Sequence, residues 1–288
     1  MRFKIKKLMF VFLFVVFFVG MIIPNVLAAE YIYPQDYGAT GDGTKNNPWA
    51  NDCIDKAIAA ASEGDTIYLK AGYYQLSGEC VIKEDNLTVM GAGMGKTIVL
   101  TDDAHGFLFF GRDYITIADM TIDGTAQEYT YKLYGIYPAN CDYTTIRNVE
   151  IKNCNSCGIN NFQTNYGLYE NLSLHDNGEH GIHPASNHQD LNMYNTYRYI
   201  NAYNNTKCGF DDRGSYTQGY SHHNLVENIH CWGNGLYGII FEHQDNSILS
   251  SSSSHDNARY DIYIKDLDDF TFKDCTYKTI YEYDVNYK

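Results

Sequence analysis

Positive charge is in short supply in this chain. Twenty-one Lys and Arg stand against 35 Asp and Glu, a net charge of −14. That balance argues against a nucleic-acid partner and against an anionic membrane surface. It leaves an anionic polysaccharide open, because a local cationic groove can sit on an acidic protein. Long apolar runs are missing after residue 28, so no later segment could span a bilayer. Tryptophan is scarce, with two residues, while tyrosine occurs 27 times. Tyrosine together with Asn and Asp suits a β-rich extracellular protein with stacked turns.

Two motifs lack a necessary part. Cys154 and Cys157 form a C-x-x-C, but the second pair that a zinc ribbon needs is absent. The eight cysteines therefore read as buried thiols with one or two disulfides, and Cys53 and Cys80 could pair near the N-terminal end. "GAGMGKT" resembles a phosphate-binding loop, but Met90 stands where the first glycine is required and the strand-like "TIVL" follows. A tight turn is the simpler account.

The first 28 residues are rich in signal. Basic residues Arg2 to Lys7 precede an apolar run from Leu8 to about Ile23, and Val26 and Ala28 suit a signal-peptidase site. The segment 1–28 is read as a secretion signal, cleaved after Ala28 or Ala29, with a retained anchor as the alternative. A single exported domain, residues 29–288, is expected. Asn86, Asn171 and Asn204 head glycosylation sequons that matter only in a host that glycosylates exported proteins.

The chain repeats itself. "YGIYPAN", "CGINNFQ", "HGIHPAS", "CGFDDRG", "YGIIFEH" and "YDIYIKD" align on Gly135, Gly158, Gly181, Gly209, Gly238 and Asp261, at intervals of 23, 23, 28, 29 and 23 residues. Four residues before an anchor stand Cys154, Asn177, Asn205, Asn234 and Asn257, nearly a ladder of amides. Short β-like runs with Asn and Gly turns at this period predict an all-β parallel β-helix, in which coils share one core that no coil can bury alone. "NPWANDCIDKAIAAASEGD" predicts an amphipathic helix over about 49–62 that covers the open end of the solenoid.

Strand alternation assigns faces. Ile136, Ile159, Ile182, Phe210, Ile239 and Ile262 point inward. Tyr137, Asn160, His183, Asp211, Ile240 and Tyr263 then point outward, as do Ala139, Phe162, Ala185, Arg213, Glu242 and Lys265. Asp212 falls inward, as a structural acceptor. Asp211, Arg213, His183 and Glu242 are expected to line one open groove, walled by the extra residues "NHQDLNMYNTYRY" and "YTQGYSHHNLVE". Arg213, Glu242 and Lys265 could equally be a surface charge ladder worth roughly 0–1 kcal/mol per pair.

The ensemble resembles the pectate-lyase-like superfamily of right-handed parallel β-helix proteins, from "DYGATGDGTKNN" and "LTVMGAGMGKTIV" to the repeats. In site layout it is most similar to alginate-type mannuronan C5-epimerases, which carry Y-G-F-D-P-H, an acidic residue one coil later and an Arg-His pair after that. "CGFDDRG" supplies Asp211, "YGIIFEH" supplies Glu242 beside His243, and "ARYDIY" supplies Arg259. Cys208 stands for the Tyr, Arg213 for the first His and Tyr260 for the second; "HGIHPAS" offers His180 and His183 one coil earlier. Polygalacturonases order their Asp, His and Arg differently, and the calcium-binding nonapeptides of secreted epimerases are absent.

A secreted monomer is expected, and the resemblance implies an enzyme that removes the C5 proton of a uronic acid in an anionic polysaccharide, by epimerisation or β-elimination. His183 or Tyr260 would act as base and Arg213, Arg259 or Lys265 would neutralise the sugar carboxylate, with Asp211 in the catalytic set. Asn160, His180, Glu242 and His243 would contact substrate. Some lyases of this fold use Ca2+ as the cation, for which Asp211, Asp212 and Glu242 are the candidate ligands. A glycoside hydrolase using Asp211 and Glu242, or a glycan-binding surface protein, are the alternatives.

Overall fold

The computed structural model describes residues 30–102, 104–124, 132–186, 192–214 and 221–288. The signal segment and its cleavage site lie outside these residues, and so do parts of both expected groove walls. Nearly every strand pairs in parallel with the strand one coil away, so the chain winds as a parallel β-helix. Six strands carry the candidate site: β1 (Ile136–Ala139), β2 (Ile159–Phe162), β3 (Ile182–Ala185), β4 (Cys208–Arg213), β5 (Tyr237–Asp245) and β6 (Tyr260–Lys273). Their register places Ile136, Ile159, Ile182, Phe210, Ile239 and Ile262 side by side. All six are fully buried, as the repeat predicts.

A second sheet faces the first. Thr116–Gly124, Thr145–Lys152, Leu168–His175, Thr196–Tyr203 and Leu225–Trp232 pair in sequence order. Each of these strands bends at one left-handed residue: Asp119, Asn148, Asn171, Tyr199 and Asn228 have φ between 52° and 59°. Further left-handed corners fall at Tyr114, Tyr143, Tyr166 and Tyr194, and at Asn153, Asp176 and Asn204. Among residues with a side chain, Asn and Asp adopt this conformation most readily, in keeping with their recurrence at the corners beside Tyr.

The asparagine ladder forms as read from the sequence. Asn177 Nδ2 donates to Asn205 Oδ1 at 3.0 Å, Asn205 to Asn234 at 3.1 Å, and Asn234 to Asn257 at 2.9 Å. Asn177 Oδ1 accepts from the Cys154 backbone N–H at 3.1 Å, so the cysteine at the head of the column is held through its backbone. A second ladder, not read from the sequence, closes another corner: the Asn195 N–H donates to Asn224 Oδ1 at 2.9 Å, and the Asn224 N–H to Ser247 Oγ at 3.2 Å.

The cap is shorter than expected. Helix α1 spans Cys53–Ala60, because Asn51 and Asp52 take left-handed φ values of 69° and 54° that stop it from starting earlier. Cys53, Ile54, Ala57 and Ile58 face the core. All eight cysteines are free thiols, so the one or two disulfides expected are absent and Cys53 and Cys80 do not pair; Cys80 instead sits beside Asp55. The "GAGMGKT" segment is a turn into the strand Thr97–Thr101, with Gly93 and Gly95 left-handed. Among the described residues no helix is long and apolar enough to cross a membrane.

Candidate active site

The site lies on the outward face of β2 to β6. His183 on β3 and Asp211 on β4 occupy neighbouring coils, as their column predicts, and Arg213 lies two residues along β4. The outward columns are not all open to solvent. Asp211 is 1% exposed, covered by the groups it binds. Its Oδ1 accepts from Arg213 Nε at 2.5 Å, and its Oδ2 lies 3.0 Å from His180 Nδ1 and 3.7 Å from His183 Nδ1. Asp212 points inward, where Gln244, Asn224 and Asn192 donate to it at 3.0, 3.2 and 3.3 Å. This is the structural acceptor that alternation predicts, and a buried carboxylate requires such donors.

His183 has a defined hydrogen-bonding state. Its Nδ1 lies 2.9 Å from the backbone oxygen of Asp211. A carbonyl only accepts, so Nδ1 carries a hydrogen, and in the uncharged form of the ring the lone pair is on Nε2. His183 is half-buried and lines an open groove of about 280 Å3 with Asn160, His180, Tyr134, Tyr137, Lys132 and Lys207. His180 stacks on His183 at 5.0 Å. Burial pulls the His180 pKa down to about 4 against the opposing pull of Asp211, so its ring is neutral near pH 7.

Arg213 donates through Nε to Asp211 and also hydrogen-bonds the Cys208 sulfur, and its side chain is 40% exposed. The exposed part of the guanidinium is the cation this strand offers to a ligand carboxylate. Glu242 lies next to Arg213 in register, but its closest cation is Lys265, whose Nζ donates to Oε1 at 2.8 Å. Lys265 also lies 3.5 Å from Asp266, and His243 lies between Glu242 and Asp266 at 3.7 and 3.4 Å.

Three readings from the sequence change. Tyr260 and Arg259 belong to a separate surface cluster: Tyr260 stacks on Tyr237 at 6.3 Å, and Arg259 donates to the Tyr237 hydroxyl at 2.8 Å. Tyr260 falls in the column of Cys208 and Arg259 in that of Lys207, both two coils away, so they do not meet Asp211. The proposed calcium ligands do not converge either, because Asp211 faces out, Asp212 faces in, and Glu242 is held by Lys265. The open groove is lined by His180, His183 and Asn160 and runs towards β1; Asp211, Arg213 and Glu242 are not among its walls.

The sequence reading missed the basic side of the groove. Glu179 joins Lys132 at 2.9 Å, Ser156 at 2.6 Å and Lys207. Burial alone would raise its pKa, but hydrogen bonds from Lys207, Ser156 and Lys132 outweigh it and hold it at about 2. Tyr134 is pushed up to about 12 by burial, and Tyr137 is raised for the same reason, so both hydroxyls stay protonated at neutral pH. Glu179 and Lys207 stand two residues before anchor glycines 181 and 209, a column that also holds Arg259 two coils on, so charge in that column was the available signal.

Comparison with known proteins now bears on the site. A family model for the right handed beta helix region matches residues 134–287, more than half of the chain. The chain belongs to the right-handed β-helix family. It is similar to mannuronan C5-epimerase AlgE5 of Azotobacter vinelandii, 27% identical over 273 residues that cover 84% of this chain and 26% of that protein. It is also similar to alginate lyase 7 of the same organism, 29% identical over 203 residues covering 62% of this chain and 23% of that protein. The chain spans about a quarter of the length of these curated relatives. Among solved structures, the A-module of mannuronan C-5 epimerase AlgE4 from A. vinelandii superposes with a TM-score of 0.65 at 20% identity, over 85% of this chain and 76% of that one. Within this β-helix family the same coil stack carries different chemistry, so the activity has to be argued from the groove itself.

Proposed function

We propose that the protein acts on an acidic polysaccharide containing uronic acid, removing the proton at C5. The observation that carries this reading is His183: its Nδ1 is fixed by a backbone carbonyl and its bare Nε2 belongs to a side chain lining a groove that also presents Lys132, Lys207 and Asn160. His183 Nε2 is the base. A proton α to a carboxylate leaves only when charge on that carboxylate is stabilised, and the exposed guanidinium of Arg213 supplies a cation next to the groove residue Ala185. The protonated hydroxyls of Tyr134 and Tyr137 are the acids available for returning a proton or for protonating a departing 4-linked oxygen. Similarity to mannuronan C5-epimerases and an alginate lyase supports the same chemistry, since both outcomes begin with this step.

The hydrolase alternative needs two carboxyl groups free to act as acid and base. Asp211 is enclosed by Arg213 and His180, and Glu242 is bonded to Lys265, so neither is available. Export is part of the proposal, motivated by residues 1–28, and the intact mass of protein recovered outside the cell tests it: retention of those residues overturns it.

Polymannuronate, alginate and polygalacturonate should be incubated with the protein in D2O. Solvent deuterium at C5 without cleavage identifies an epimerase, and new ultraviolet absorbance from an unsaturated end identifies a lyase. Reducing ends without unsaturation, or no change in any polymer, overturn the proposal. His183→Gln should lower turnover by roughly 10²–10⁴-fold with little change in polymer binding.

A further inference from the structure

We propose that His180, Cys208 and Asp211 bind one divalent transition-metal ion of the zinc class. His180 and Cys208 fall in the same column of adjacent coils, and the Gly181 N–H donates to the Cys208 carbonyl at 2.9 Å, which locks their register. Asp211 follows three residues along β4. One imidazole nitrogen, one thiol sulfur and one carboxylate oxygen thereby come within 4.8 Å of one another. Ligand atoms around tetrahedral zinc lie roughly 3.3–3.8 Å apart, given bonds of about 2.0–2.3 Å, so small side-chain rotations complete the set.

A separate observation marks this cluster as a binding site. His180 is 7% exposed, and its Nδ1 is a buried polar atom without a hydrogen-bond partner. It approaches Asp211 Oδ2 at 3.0 Å without the alignment of a hydrogen bond. Buried polar atoms of native proteins are rarely left in this state. Cys208 is fully buried and Asp211 nearly so. Asp211 Oδ1 is bonded to Arg213 Nε, so Oδ2 is the oxygen left for a ligand and Arg213 orients it from outside.

The donor set selects the ion. Thiolate and imidazole exclude calcium and magnesium, which prefer oxygen ligands, and suit zinc or cobalt. Binding breaks the Cys208 S–H bond, the proton leaves to solvent, and the sulfur electron pair goes to the metal with no change of oxidation state. Thiolate and carboxylate then balance the two metal charges, and three protein ligands leave a fourth position open. The other cluster of this kind among the described residues, Glu242, His243 and Asp266, already holds a cation, because Lys265 lies 2.8 and 3.5 Å from its two carboxylates. The inference does not depend on the polysaccharide reading, since it is measured without substrate.

The test is a Co2+ titration of the reduced, metal-free protein. One equivalent should produce a near-ultraviolet thiolate-to-cobalt absorption with the visible bands of a four-coordinate ion, release one proton per ion, and be displaced by Zn2+. Cys208→Ser should abolish the near-ultraviolet band, and His180→Gln should weaken binding by roughly tenfold or more, at least the loss seen when an outer partner of a metal ligand is removed. Absence of the band at saturating Co2+ overturns the proposal. So does an equal band in Cys208→Ser, which would place the ion at another cysteine such as Cys154 or Cys157. Should circular dichroism show Cys208→Ser unfolded, His180→Gln and Asp211→Asn decide the matter, and unchanged affinity in both overturns it.

Discussion

Asp211 stands on an outward column and is nonetheless enclosed, because its neighbours fold over it. Strand alternation gives the direction of a side chain and says nothing of what lies above it. This changes what Arg213 does. A rung of an exposed charge ladder contributes little, but Arg213 is the hydrogen-bonded counterion of a carboxylate that is 1% exposed. Arg213→Ala should therefore destabilise the fold by about 1–3 kcal/mol, reduced from the cost of a fully buried pair because the Arg side chain reaches solvent. Asp211→Asn combined with Arg213→Ala should restore part of that loss, since it removes the uncompensated charge. Urea unfolding of the single and double variants measures both. Equal stability of Arg213→Ala and wild type would return the pair to the surface-ladder class.

At the scale of the element, two kinds of asparagine stack hold the coils, and they should respond differently to mutation. Asn205 is 1% exposed; its Nδ2 donates to the Leu174 carbonyl at 3.1 Å and to Asn234, and its Oδ1 accepts from both nitrogens of Asn177. Asn205→Ala strips several buried groups of their partners and should cost about 2–4 kcal/mol. Asn171 sits in an exposed corner with φ of 52°, where its Nδ2 donates to Asn148 Oδ1 at 2.8 Å. Asn171→Ala should cost only about 1 kcal/mol, mainly for the left-handed backbone. Denaturant midpoints of the two variants test the ordering, and a reversal would show that corner geometry outweighs the buried ladder.

Across the whole molecule, an acidic protein keeps a basic strip along one groove, and the groups that organise the strip set its acid response. His180 has a folded pKa of about 4, below the roughly 6.5 of an unfolded histidine. Between these values the unfolded chain binds more protons, so this contribution is present above pH 6.5 and is lost as pH falls to about 4. Glu179, held at about 2 against a model-peptide value near 4.3, adds stability that is lost over the lower range, from about pH 4.3 to 2. Each leg amounts to at most about 3 kcal/mol. In metal-free protein, stability measured from pH 8 to 2 should fall in two steps. His180→Gln should remove the upper step and Glu179→Gln the lower one; a single step untouched by either would assign acid sensitivity elsewhere.

The amino-acid sequence alone determined the coil. A period near 23, apolar residues after each anchor and Asn four residues before it are local, repeated constraints, and each coil in a parallel stack copies the register of its neighbour. Inward Asp212, outward His183 and the Asn177–Asn257 ladder follow from that repetition. Only the tertiary structure decided which outward residues form a site. Arg259 and Tyr260 matched a motif but fall in the columns of Lys207 and Cys208, away from Asp211, and Lys132 and Glu179 matched none yet complete the groove. The physical reason is that charge pairing across coils depends on side-chain length, on burial and on competing partners, none of which repeats with the period that made the fold readable.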